Sequence, residues 1–283
     1  MSETESAAAI CPDCGGRGWV VEADGGAGSA RPCGCRRRDD GPRLLAAAGI
    51  PSLYQGCTLE SFETWASRPA EHDQLVRAQS TCRRYIDEFL GEDGSFCDKG
   101  LLFVGRSGVG KTHLATAVLS ELIQRYRVRG RFVDFTSLVH RIQSTFDPKS
   151  DRSTHQVLDP VMNCEVLVLD ELGAQRPTQW VRDTLYLILN TRYTRRLTTL
   201  FTTNHRLESE SAKPAEAADR FAESSTSFER QVRQEAPAPP GVDRQLLGHR
   251  IPASLLSRLY EMTTIVEIDA ADFRRQRKKT VAG

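Results

Sequence analysis

Residues 105–112, Gly-Arg-Ser-Gly-Val-Gly-Lys-Thr, constrain this chain more than any other stretch. They match Gly-x4-Gly-Lys-Thr, a loop that must leave a strand and open a helix. Both flanks are present. Leu101–Val104 is wholly apolar, as expected of a buried parallel strand. Leu114, Val118 and Leu122 recur four residues apart, which gives a helix through about Tyr126 one apolar face. Across Gly105, Arg106, Ser107, Gly108, Val109 and Gly110, the glycines let backbone N–H groups converge on phosphate oxygens, and the helix N-terminus adds partial positive charge. Lys111 then reaches the β- and γ-phosphates, and the Thr112 hydroxyl ligates Mg²⁺. The chain is expected to bind a nucleoside triphosphate.

Strands and helices alternate beyond this loop, the pattern of a parallel sheet covered by helices. Arg131–Phe135 reads as a strand and Ser137–Phe146 as an amphipathic helix. Glu165–Leu169 is a buried strand that ends at Asp170 and Glu171, where ligands bind in open parallel sheets. Asp170 is expected to hold Mg²⁺ through water and Glu171 to polarise the attacking water as general base. A helix follows over Gln179–Tyr193, then a strand over Thr198–Thr203 ending in Asn204. Its amide is suited to holding the water against the γ-phosphate, a simple turn asparagine being the alternative. Upstream, Leu75, Ala78, Cys82, Tyr85, Ile86 and Phe89 form a helical stripe that reads as core packing.

Four of the eight cysteines form a block, Cys11-x2-Cys14 and Cys33-x-Cys35. The N-terminus has no basic, then apolar, export signal, and no apolar run is long enough to span a membrane. A cytoplasmic location is therefore expected, where a disulfide framework is disfavoured. Paired thiolates at short spacing suit tetrahedral Zn²⁺, and four of them leave no open position, so the metal is read as structural. A redox pair is the competing reading. Trp19–Glu22 reads as a strand leaving the first pair, with a Gly-rich turn returning the chain at Arg31-Pro32. Cys57, Cys82, Cys97 and Cys164 read as scattered small residues. The balance of 38 Lys+Arg against 37 Asp+Glu excludes a uniformly basic DNA coat, although the run Arg274–Lys279 can contact phosphate backbone.

Gly105–Thr112, Val166–Gly173 and Thr202–Asn204 together resemble the AAA+ ATPases of the DnaC/DnaI/IstB group, as does Ile50–Tyr54 through Thr58–Phe62. The likeness covers about residues 43–205 and 246–274. It implies an α/β fold: a three-layer P-loop AAA+ core with a parallel sheet and no C-terminal helical lid, beside a small zinc module. It implies ATP as the nucleotide and Asn204 as sensor 1. Arg258, before a terminal strand over Thr264–Ile268, is implied as an arginine finger acting on a neighbouring protomer, with Arg250 in reserve. Arg274 is implied as sensor 2. The expected organisation is a disordered N-terminus (1–9), zinc module (10–41), linker and pre-core helix (42–98), ATPase core (99–205), disordered insertion (206–245), and a C-terminal part with finger and basic tail (246–283). The group's activity implies a loader that self-associates through the ATP site, grips single-stranded DNA and docks on a replicative DNA helicase hexamer. The alternative is an IstB-like regulator of a transposase on double-stranded DNA. A third reading, an ATP-switched adaptor without turnover, leaves Glu171 without a task.

Overall fold

The computed structural model describes residues 19–22, 29–32, 34–91, 95–147, 153–175, 178–207 and 246–274, with side chains from residue 41 onward. Strands β1 (Trp19–Glu22) and β2 (Ser29–Pro32) form an antiparallel hairpin that pairs Trp19 with Pro32. The strand and the return expected between the two cysteine pairs are thus present, while the Gly-rich turn joining them lies outside the described residues. Cys11, Cys14 and Cys33 lie outside the described residues. Of Cys35 only the backbone is described, in the first turn of helix α1 (Gly34–Ala47). The segments 1–9 and 208–245 and the run 275–279 also lie outside them.

Helix α1 runs through the boundary expected between the zinc module and the linker at residues 41–42. It is followed by a short 3-10 turn (Ser52–Tyr54) and by α2 (Pro69–Asp87). Proline at the first position of α2 gives up an N–H that a helix start would leave unpaired anyway. Leu75, Ala78, Cys82 and Ile86 are its buried stripe.

The central unit then alternates β3 (Gly100–Gly105), α3 (Lys111–Tyr126), β4 (Gly130–Asp134), α4 (Phe135–Ser144), α5 (Thr154–Asn163), β5 (Val166–Asp170), α6 (Gln179–Thr194), β6 (Thr198–Thr203), α7 (Ala253–Met262) and β7 (Thr263–Ile268). The five strands β3 to β7 lie in the order β4-β5-β6-β3-β7, all parallel. Successive residues of a strand face opposite sides, and here both sides are buried. Leu101, Phe103, Val166, Val168 and Leu200 pack with α2 and α3. Leu102, Val104, Leu167, Leu169 and Phe201 pack with α4 to α7. The outcome is a three-layer α/β core.

Two connections bear on the site. The Phe132 N–H donates to Ala48 O at 2.7 Å, so the chain after α1 covers the free edge of β4. After β6, Arg206 bridges to Leu246, and the Leu247 N–H donates to Arg206 O at 2.8 Å. Among the described residues, no helix is long and apolar enough to cross a membrane.

Candidate functional site: a phosphate-binding cleft

β3, β5 and β6 are adjacent, so their carboxyl ends bring three distant segments to one edge of the sheet. The loop after β3 turns sharply. Gly108 and Gly110 adopt φ of 84° and 93°, a left-handed region where a side chain is strained. A Cβ on Gly110 would stand 2.6 Å from the Phe62 ring, and one on Gly108 would collide with the Asp272 carboxylate. Lys111, only 6% exposed, opens α3 and donates from Nζ to Arg106 O at 2.8 Å and to Asn204 Oδ1 at 2.6 Å. Burial pushes its ammonium down to about 8, against the pull of Asp170 and Glu171.

Asp170 ends β5 beneath that lysine. Its Oδ1 accepts from Thr112 Oγ1 at 3.0 Å and from Thr202 Oγ1 at 2.6 Å. Burial raises its carboxyl above the ordinary range, while the two hydroxyls oppose the rise. Glu171 follows at φ 59°, a left-handed conformation for a non-glycine residue. Its carboxyl is also raised, first by partial burial and then by Asp170 and Asp134. Neighbouring carboxylates that disfavour one another's charge are what a cation site offers in advance of its cation.

Asp170 lies buried behind a cleft of about 510 Å³ that Glu171 and the phosphate loop face. Ser107, Gly108, Gly110, Lys111, Thr112, Glu171 and Asn204 line it, and so does Arg274. The 272–274 segment is tied to the phosphate loop, because the Phe273 N–H donates to Gly108 O at 3.1 Å. The Arg274 N–H donates to Asp272 Oδ1 at 2.9 Å. Left-handed glycines at a helix N-terminus, a buried lysine and a hydroxyl–carboxylate pair fit a triphosphate and Mg²⁺. Arg258 does not line this cleft. It lies on α7, its guanidinium carbon 5.2 Å from the Tyr186 ring centroid and 5.5 Å from that of Tyr193. Arg250 is elsewhere again: its Cβ lies 3.4 Å from where a Cβ on Gly173 would stand.

Sequence reasoning missed the opposite wall. Tyr54, Cys57, Ser61 and Phe62 line the cleft from the segment before α2, with Phe273 facing them. His113 Nε2 is 2.9 Å from Thr58 O and 3.2 Å from Ser61 Oγ, which ties this wall to the start of α3. The signal was a cluster of aromatic residues upstream of the strand, whose place in the cleft is set by tertiary packing alone. Thr202 was also missed, although it lies in the Thr202–Asn204 motif. Among the described residues no cluster of His, Cys, Asp and Glu offers a metal site of three or more ligands, and the side chains of Cys11, Cys14, Cys33 and Cys35 are not among those described.

The strand order, the phosphate loop and the acidic pair define a P-loop nucleotide-binding protein of the AAA+ class. A family model described as IstB-like ATP binding protein matches residues 73–217, just over half of the 283. The chain belongs to the IstB-like ATP binding family. The replicative helicase loader DnaC of Escherichia coli (strain K12) is 29% identical over 169 residues, 59% of this chain and 62% of that protein. The chain thus matches less than two thirds of that relative's length. The crystal structure of the DnaC helicase loader superposes with a TM-score of 0.53 at 28% identity, over 77% of this chain and 99% of that one. The DnaI crystal structure, 23% identical with a TM-score of 0.52, covers 78% of this chain and 95% of its own, and shares the fold.

Proposed function

We propose that the chain is an ATPase that loads a replicative DNA helicase onto single-stranded DNA during initiation or restart of replication. The hydrolytic reading is carried by one observation: Thr112 and Thr202 both hold Asp170 Oδ1, beside Lys111 and Glu171 in the same cleft. In this reading Lys111 binds the β- and γ-phosphate oxygens. Thr112 and Asp170 hold Mg²⁺, the aspartate through water. The metal, when bound, offsets phosphate charge and draws electron density from the γ-phosphorus. Glu171 takes the proton of the water whose oxygen attacks that phosphorus, while the bond to the bridging oxygen breaks. A carboxyl raised by burial is the better base for it. Asn204 orients the water and Arg274 supplies positive charge from the same chain. Arg258 supplies it from a neighbouring protomer, so hydrolysis requires self-association.

The loader reading is supported by the similarity to DnaC, which extends over 59% of this chain. The family match favours a second reading, an ATP-dependent regulator of a transposase on double-stranded DNA. Capture assays with the full chain and ATP decide between them. Recovery of a hexameric replicative helicase, and not of a transposase, is expected; recovery of the transposase alone overturns the loader reading.

The four cysteines of the N-terminal block, Cys11, Cys14, Cys33 and Cys35, are proposed to hold a structural Zn²⁺, with the β1–β2 hairpin in the interval between the pairs. Four thiolates suit that ion. Purified protein is expected to carry stoichiometric zinc, and Cys14→Ser with Cys33→Ser to lose it while ATP binding persists. Metal analysis that finds no zinc in freshly purified protein removes this module from the proposal.

A further inference from the structure

We propose that Thr202 is a positioning residue for ATP hydrolysis, its one hydroxyl setting both the Asp170 carboxylate and the backbone turn that carries Glu171. The proposal rests on the roles given above to Asp170 and Glu171. A threonine hydroxyl has one proton and two acceptor lone pairs. Here the proton goes to Asp170 Oδ1 at 2.6 Å, and a lone pair accepts the Glu171 N–H at 2.9 Å. Two consecutive residues of the acidic pair are therefore held through one atom. Thr202 is 1% exposed, so water does not compete for these bonds.

The register explains the reach. Leu169 pairs with Phe201, and Asp170 and Thr202 are the next residue on each strand. Thr112 and Thr202 bond the same oxygen, which fixes the rotation of the carboxylate from two sides. Beyond it the chain must turn left-handed at Glu171, at φ 59°, and again at Gly173, at φ 86°. A left-handed non-glycine residue is strained and persists where its surroundings over-determine it. The end of β6 does so. The Leu172 N–H donates to Thr202 O at 2.8 Å, Thr203 Oγ1 donates to Leu172 O at 2.8 Å, and His205 Nε2 lies 3.0 Å from Gly173 O. The Thr202 hydroxyl is the member of this set that also touches the proposed metal carboxylate. It couples the two: a shift of Asp170 toward a cation moves the anchor of Glu171.

A hydroxyl that only held the fold would affect melting and leave kinetic constants alone. Partners of metal-holding groups instead affect metal affinity or rate by roughly 10–100-fold. Thr202→Val keeps the shape and removes both bonds. In the full chain it is expected to raise the Mg²⁺ concentration that half-saturates ATP binding by roughly 10-fold and to lower kcat by roughly 10–100-fold. Mg²⁺-free ATP binding, which also reports on the fold, is expected to stay within about twofold, because Thr202 is assigned no part in holding phosphate. Thr202→Ser restores the hydroxyl and is expected to recover most of both losses. If Thr202→Val does not fold, Thr202→Ala is read in the same way. Unchanged Mg²⁺ dependence and rate in the valine variant overturn the proposal, as does a serine variant no better than valine. An unaltered chain that binds Mg²⁺-ATP without hydrolysing it overturns instead the reading of Glu171. In that event the Mg²⁺ titration still decides the Asp170 half of the proposal.

Discussion

Arg192, within helix α6, and Arg258, on α7 against two tyrosines of α6, illustrate two uses of a guanidinium. Arg192 is fully buried near the amino ends of β5 and β6. Its donors meet Thr199 Oγ1 at 2.8 Å, Val161 O at 3.0 Å, Cys164 O at 2.8 Å and Thr198 O at 2.6 Å. The cation thereby ties α5, β5 and β6 to α6. Arg258 is held by the rings of Tyr186 and Tyr193, and its buried Nη1 has no hydrogen-bond partner among the described residues. A cation each of whose three nitrogens meets a protein acceptor is committed to the fold. A cation oriented by aromatic faces keeps donors for a ligand, as an arginine acting across a protomer interface requires.

The comparison breaks first at Arg258. Arg258→Ala is expected to lower ATP hydrolysis by roughly 10³-fold, with thermal melting nearly unchanged. A steady-state assay across protein concentrations measures it; if the rate survives and Arg250→Ala loses it instead, the finger is Arg250. Next comes Arg192→Met, with the opposite signature. Buried carbonyls left without donors cost about 1–3 kcal/mol each, so a loss of about 3 kcal/mol, roughly 100-fold in the folding equilibrium, is expected in chemical denaturation. Hydrolysis per folded molecule should stay the same.

Lys111, buried like Arg192, differs in that it can lose its proton. Its value of about 8 lies below the ordinary 10.5. Between these values the unfolded chain binds more protons than the folded one, so this group makes the fold more stable as pH rises. The grip on phosphate weakens over the same range. ATP association is expected to fall roughly tenfold per pH unit above about 8, and Lys111→Arg to flatten that limb in a binding titration. The smallest effect is expected of Tyr193→Phe. It keeps the ring against Arg258 but loses the 2.8 Å bond from Tyr193 OH to Glu261 Oε1, and should change hydrolysis by less than about twofold. A larger change would mean that the exposed hydroxyl, rather than the ring, orients the guanidinium.

The phosphate loop was legible in the sequence because eight contiguous residues carry its whole geometry, including the two left-handed glycines. The acidic pair was legible because a strand end fixes where it points. Tyr54 and Phe62 were not, because what makes them cleft residues is the packing of a distant segment. Helix α5 went unread because Pro160 lies inside it, although Ser153 and Gln156 form a capping box at its start. Element edges moved by a residue or two: α4 begins at Phe135 rather than Ser137, since the Asp134 side chain accepts the Ser137 N–H and starts the helix earlier. Arg192 sits among other arginines in Thr191–Arg196, and nothing in that run marks it as the buried one. The tyrosines around Arg258 carried a fainter signal, since Tyr186 and Tyr193 stand seven residues apart on one face of α6.

The bridge between Arg206 and Leu246 carries a consequence for how such a chain changes over time. Its two strands of backbone meet where the interval between them begins and ends, so the bridge fixes both ends of that interval. The closure cost of a loop between fixed ends grows slowly with its length, by about 0.6 kcal/mol per doubling. Lineages are then free to lengthen, shorten or replace the sequence between these residues, and a reporter domain grafted there should leave ATP affinity untouched.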